Sequence, residues 1–236
     1  MQGEQSASAL WAVDQAVPKD GLQFDQNSPL HFFHILGKLK TIKREGWRRH
    51  GIENGESIAD HSHRMAMMAL LAPSHLNVQR CVMMSLVHDI AESLVGDLTP
   101  MSGVSREEKG RREMSTIDYF ASIAGPSGAF IRELWHEFEA AETPESRIAQ
   151  DLDKVELLLQ FVEYEEEGKG GIDLGEFAGV ANKIRSEECK AWAREILQAR
   201  EKFWGGRSHK RGEKGADGGI SREYQQMQDD YYSKEQ

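Results

Sequence analysis

Cysteine is nearly absent from this chain of 236 residues: Cys81 and Cys189 stand far apart in helix-like surroundings. A disulfide framework and a cysteine-based zinc site are thereby excluded, so a reducing compartment is expected, the cytoplasm with access to the nucleus open. No apolar run approaches the roughly 18 residues that a membrane span needs. The first thirty residues also lack a basic stretch followed by an apolar one, so neither insertion nor export is expected. Basic excess is missing as well. With 29 Lys and Arg against 39 Asp and Glu the formal net charge is −10, which argues against a surface for a nucleic-acid polymer. A phosphate-bearing ligand would then need a local cation. Alternating β-branched runs bounded by hairpin turns are also lacking, which excludes an extensive sheet.

What remains is helical period broken by Pro and Gly, and the expected fold class is all-α. Helices are predicted over 29–43, 56–72, 75–92, 105–124, 127–142, 144–167 and 174–203. Pro73, Gly96, Pro100, Gly125-Pro126 and Thr143-Pro144 punctuate them, and Gly168–Gly171 divides the last two. Residues 1–28 read as a loosely held arm, 29–204 as one helical core, and 205–236, rich in Gly and charge, as a disordered polar tail.

Titratable groups interrupt the apolar pattern of that core at three places. In VQRCVMMSLVHDIAESLVGDLTP, a helical turn of about 100° per residue puts His88, Asp89 and Glu92 within one arc. In ESIADHSHRMAMMALLA, His61 follows the stripe of Ile58, Met65, Met68 and Ala72 and points inward, whereas His63 is turned away. Asp153 lies among Leu152, Val155, Leu157 and Leu158, where a carboxylate is costly unless it is paired or binds a cation. Asp151 faces the other way. His61, His88, Asp89 and Asp153 together form a mixed nitrogen and oxygen donor set suited to a divalent ion such as Mn, Co, Fe or Zn, with Mg an alternative if water completes the shell.

The order H…HD…D is similar to that of HD-domain metal-dependent phosphohydrolases. The string HDIAESLVGDLTP resembles the H-D-x-x-E-x-x-x-G-D-[ILV]-x-P segment of the eukaryotic 5'-deoxynucleotidases of that family. The likeness runs from about Leu30 to Arg200 through LGKLKTIKREGW, ESIADHSHRMAMMA and LWHEFEAAETPESRIAQDLDKVELLLQFVEYE. It implies an all-helical HD-domain bundle, usually a homodimer, that hydrolyses 2'-deoxynucleoside 5'-monophosphates with a divalent cation, Mn, Co or Mg. It further implies that His61, His88, Asp89 and Asp153 are metal ligands, that Glu92 is the essential carboxylate, and that Asp97 contacts the sugar. Glu92 and Asp97, with the main-chain carbonyl of Leu98, match the residues thought to hold a second ion in some members. Arg44 and Trp47 match an Arg that binds phosphate and a Trp that crowds the 2' position, with Lys43, Arg48 and Arg49 as alternatives to Arg44.

Other readings stay open at this level. Related proteins cleave cyclic nucleotides, nucleoside triphosphates or guanosine tetraphosphate, and a helical module that binds nucleotide without turnover is a further alternative. A His-rich dinuclear site is disfavoured because only His136 lies between the HD pair and Asp153, on a helix whose inward face is expected to be Phe130, Leu134 and Phe138. Glu137 and Glu139 match a family segment but also read as a solvated face. Met65, Met67, Met68, Met83 and Met84 read as gap-filling core or dimer contacts.

Overall fold

Five of the helix starts among the described residues are written into the sequence as side-chain caps. Ser28 precedes Pro29 and accepts from Leu30 N, which starts α2 (Pro29–Leu36). Ser57 and Asp60 form a capping box at α4 (Ile58–Ala69), and Asn77 caps α5 (Val78–Val87). Ser105 caps α7 (Arg106–Ile123), and Thr143 with Ser146 boxes α9 (Pro144–Glu167). The short α1 (Val13–Ala16), α3 (Glu45–Arg48) and α6 (Glu92–Val95), with α8 (Gly128–Ala140) and α10 (Glu187–Trp204), complete the set. This computed structural model describes residues 10–205; the tail expected from 205 onward lies, beyond its first residue, outside the described residues. Among the described residues there is no strand, only an isolated bridge between Lys43 and Ser57.

The longest helix among the described residues, α9, forms the axis of one apolar cluster. Leu152, Val155, Leu158 and Phe161 pack there with Met65, Met84, Leu134 and Trp47. A second cluster joins α2, α6 and α7 through Phe32, Ile35, Leu94, Ile117 and Phe120, with Ile58, Ile90 and Trp135. The chemistry-bearing residues of α4, α9 and the α5–α6 turn lie where these two clusters meet.

Several boundaries differ from expectation for identifiable reasons. The 75–92 segment is not one helix: α5 ends at Val87, and residues 88–91 are wound more tightly, with Ile90 N bonded to Val87 O and Glu92 N to Asp89 O. The 174–203 segment divides into a 3-10 stretch, Gly175–Lys183, and α10. At that break Asp151, fully buried, accepts hydrogen bonds from Arg185 N and Ser186 N at 2.7–3.1 Å and anchors the start of α10. Part of the expected arm is docked: Val13, Ala16 and Val17 pack on the second cluster, and Arg111 donates to Trp11 O at 2.8 Å. On α8 the inward residues include Trp135, while Phe130 is 40% exposed. Met65 and Met84 are core, but Met67 is 53% exposed. Glu137 is not a solvated group, because it braces Arg80 and Thr143.

The contact between α7 and α8 depends on a missing methyl. A Cβ on Gly128 would stand 1.9 Å from the Ala121 carbonyl oxygen, a backbone atom that has nowhere to go. Alanine normally favours a helix over glycine by about 1 kcal/mol. Here Gly128→Ala is expected to destabilise by about 1–3 kcal/mol, read as a lower urea midpoint with unchanged slope.

Candidate active site

The cluster is built from α4 and α9, which face each other, and from the tight turn between α5 and α6. His61 of α4 is fully buried. Its Nε2 lies 3.2 Å from Asp153 Oδ1 and 3.9 Å from Asp89 Oδ2. His88 Nε2 lies 3.1 Å from the same Asp89 oxygen, and the two imidazoles sit 5.4 Å apart between centroids. Donor atoms of His61, His88 and Asp153 fall within 4.8 Å of one another. The structure therefore brings together His61, His88, Asp89 and Asp153, the tightened turn swinging Asp89 toward the rings.

Both Nε2 atoms are buried and make no hydrogen bond, while each Nδ1 is engaged: His61 Nδ1 with Glu156 Oε2 at 2.6 Å, His88 Nδ1 with Ser85 O at 2.9 Å. Buried polar atoms are rarely left unbonded. Two imidazole nitrogens aimed at two carboxylates, their far sides already tied down, fit a divalent cation held by nitrogen and oxygen. Asp153 is the most open of the four, with its side chain 34% exposed.

Charge is distributed unevenly across the site. Burial presses the Asp89 carboxyl upward, but His88, Arg44 and His61 outweigh it and hold Asp89 well below the ordinary range. Asp153 is likewise held low, the His61 ring overcoming the effect of burial. His61 moves the other way: burial and Arg44 lower it, yet Asp153 and Glu156 push it up to about 9. Burial, reinforced by Asp89 and Asp97, raises Glu92 well above a normal carboxylate. Glu92 is 3% exposed, and one of its oxygens has no hydrogen-bond partner.

Arg44 is the cation that reaches this group, its guanidinium donating to Asp89 Oδ2 at 3.1 Å. The alternatives Lys43, Arg48 and Arg49 line the neighbouring cleft instead, and Arg48 pairs with Glu45 and Glu53. Asp97 follows Gly96, whose φ of +81° lets the chain turn out of α6, and accepts from Glu45 N at 2.6 Å. It thus clamps the loop that carries Arg44. Leu98 and Asp97 line that cleft, of about 730 Å³, together with Thr41 and Met101. Trp47 does not lie open as a sugar-packing surface. It is 2% exposed, contacts Tyr164 and Phe177, and donates from Nε1 to Glu56 Oε1 at 2.8 Å.

Four residues of this environment escape a reading of the sequence: Glu56, Glu156, Arg64 and Lys109. Burial, with Glu156 nearby, pushes Glu56 up to about 7. Lys109, on α7, lies 3.5 Å from Glu113 and, as a cation, favours the charged form of Glu92 against the effect of burial. One signal was available, since Asp153, Glu156, Gln160 and Glu163 recur at i, i+3, i+7 and i+10, a polar stripe at helical spacing.

Comparison with known proteins gives the family. The HD domain family matches residues 36–193. The 5'-deoxynucleotidase hdd1 of Schizosaccharomyces pombe is 42% identical over 180 residues, spanning 73% of this chain and 90% of that protein. The 5'-deoxynucleotidase YGK1 of Saccharomyces cerevisiae is 38% identical over 209 residues, spanning 84% of this chain and 97% of its own. A solved structure of the HD domain-containing protein YGK1 superposes with a TM-score of 0.61 at 29% identity, covering 82% of this chain and 99% of that one. The helical frame, the clustered imidazoles and carboxylates and the matched span make this chain a member of the HD domain family.

Proposed function

We propose that the chain is a metal-dependent 5'-deoxynucleotidase, hydrolysing 2'-deoxynucleoside 5'-monophosphates to deoxynucleoside and phosphate. The observation that carries this reading is the pair of unbonded, buried Nε2 atoms converging with Asp153 and Asp89 beneath the Arg44 guanidinium. Such a site offers a cation and an anion-binding fork side by side, as a phosphate monoester requires. The relatives named as 5'-deoxynucleotidases support the choice of substrate.

The residues divide the work. His61, His88, Asp89 and Asp153 would hold the ion. When bound, a divalent cation supplies Lewis-acid polarisation of a phosphoryl oxygen, a lowered pKa for nearby water, and relief of the repulsion among these carboxylates. Arg44, kept firmly cationic by Asp97 and Asp89 against the effect of burial, grips the phosphate and stabilises charge spreading over its equatorial oxygens. With a divalent cation offsetting the acids that press it toward its neutral form, Glu92 would be ionised and would accept a proton from the attacking water. Hydrolysis places the water's hydroxyl on phosphorus, breaks the bond to O5′ and delivers a proton to that oxygen. The 730 Å³ cleft beside Asp97 takes the nucleoside end. Trp47 acts from below, bracing the Arg44 loop through Glu56.

Removal of the ion is the first test. Exhaustive dialysis of the full chain against chelator is expected to abolish phosphate release from dAMP and dCMP, with Mn, Co or Mg restoring it and dAMP turned over faster than AMP. Retention of full activity by the stripped enzyme would sink the reading.

The division of roles is tested by substitution. Arg44→Ala is expected to lower kcat/KM by about 10- to 100-fold, the worth of a lost charged hydrogen bond, through both a higher KM and a lower kcat. Glu92→Gln is expected to keep ion content near normal while kcat falls by about 100-fold or more. If Glu92→Gln instead loses an ion, Glu92 is a ligand, shared with Asp97 and the Leu98 carbonyl at a second ion, and the general-base role fails.

The same proposal includes a homodimer. Just past the end of α4, Leu70 and Leu71 are 53% and 72% exposed, beside an apolar groove that Leu71 forms with Val155 and Leu159 of α9 and Trp192 and Ile196 of α10. A second copy of the chain suits a patch of this kind. No helix among the described residues is long and apolar enough to cross a membrane. Light scattering behind size exclusion is expected to give twice the mass of one chain, and Leu71→Asp to reduce it to one; a wild-type monomer at micromolar concentration refutes this.

A further inference from the structure

His61 stands on α4 one turn before Arg64, and Asp153 stands on α9 one turn before Glu156. The two pairs meet across the helix interface. Glu156 Oε2 lies 2.6 Å from His61 Nδ1, and its other oxygen receives Arg64 Nε at 2.8 Å. Arg64 sends its remaining nitrogens to Gln160 at 2.7 Å and Glu163 at 2.6 Å, farther along α9. The Glu156 carboxylate is fully buried and cannot swing without breaking those contacts.

We infer that Glu156, locked by Arg64, is a positioning residue for the cation site: it fixes the tautomer and ring plane of His61 and strengthens Nε2 as a donor. In the neutral ring that a cation requires, a carboxylate at Nδ1 keeps the one proton on that nitrogen and leaves the lone pair on Nε2, the atom that faces Asp153 and Asp89. The two imidazoles are therefore unequal, because His88 Nδ1 meets only the neutral carbonyl of Ser85. A brace between α4 and α9 alone would not need this carboxylate. Arg64 already reaches Glu163 and Gln160, and a wholly buried charge is an expensive substitute for apolar packing.

This inference rests on His61 being a ligand, so its test separates the two. Metal-stripped full-length protein is titrated with Co²⁺ against a competing chromophoric chelator, without reference to turnover. Glu156→Gln, close in shape but neutral, is expected to bind Co²⁺ on the order of 10- to 100-fold more weakly. Placed on a His61→Ala background, the same change is expected to alter the remaining affinity by no more than about twofold, since its only route to the ion has been removed. Wild-type affinity in Glu156→Gln overturns the inference, as does an equal loss in both backgrounds, which would mark a general charge effect. Absence of Co²⁺ binding by the wild type, or indifference to His61→Ala, overturns the metal centre itself. Should the variants not fold, long-range ¹⁵N correlation spectra of the Zn²⁺-loaded wild type decide: a proton on His61 Nδ1 with a strongly downfield resonance supports the role, and a proton on Nε2 refutes it.

Discussion

Everything in this molecule turns on a shortage of hydrogen-bond partners at two buried nitrogens. His61 Nε2 and His88 Nε2 lie out of contact with solvent, within reach of carboxylates and without a hydrogen bond. An arrangement of that kind costs stability in a protein interior unless something charged completes it. The surrounding fold makes the arrangement persist. Apolar clusters on either side fix α4 and α9, and the far nitrogen of each ring is tied to Glu156 or to the Ser85 carbonyl. The rings consequently cannot rotate to find other partners.

Acidity alone would make such a cavity hostile to a phosphate. Asp89 and Asp153 are held ionised while Glu92, only a turn away from Asp89, is driven toward its neutral form. Neighbouring carboxylates with opposed tendencies are the usual basis for assigning separate acid, base and ligand roles. The contrast has a simple origin. Asp89 touches His88 and Arg44, whereas Glu92 is buried beside other acids, an effect that the charges of Lys109 and Arg44 offset in part. Glu92, the carboxylate to which the proposed function gives the proton exchange, is also the one with a buried oxygen lacking a hydrogen bond.

The sequence disclosed the groups that violate an apolar pattern and hid those that obey a polar one. His61 and Asp153 stood out because each interrupts a buried stripe, and the structure places both at the centre of the cluster. Glu156 sits on the same stripe, but a glutamate in a long charged helix looks like any solvated residue. Only the approach of Arg64 from another helix reveals that it is fully buried. The break after Val87 was illegible for a different reason: HDIAES continues the helical period without interruption, and the tighter winding belongs to packing rather than to local preference. At Ile184–Ser186 the cause is likewise distant, since the backbone there is bound by Asp151 from α9. Trp47 carried a family role in sequence, yet its indole is enclosed by Tyr164 and Phe177.

That enclosure shows how the loop and the ion-binding cage are coupled. Trp47 donates to Glu56; Glu56 N in turn donates to the Tyr164 hydroxyl at 2.7 Å, and Glu56 O accepts from Arg44 N at 3.3 Å. On the opposite side Asp97, the residue after the turn at Gly96 that ends α6, holds Glu45 N. Arg44 is therefore suspended between a strap from α9 and a clamp from the turn that follows Glu92. Displacement of either support would move the guanidinium relative to Asp89 without touching a metal ligand. In the proposed function α9 serves both halves of the chemistry, since it carries Tyr164 at the strap and Asp153 at the ion cluster.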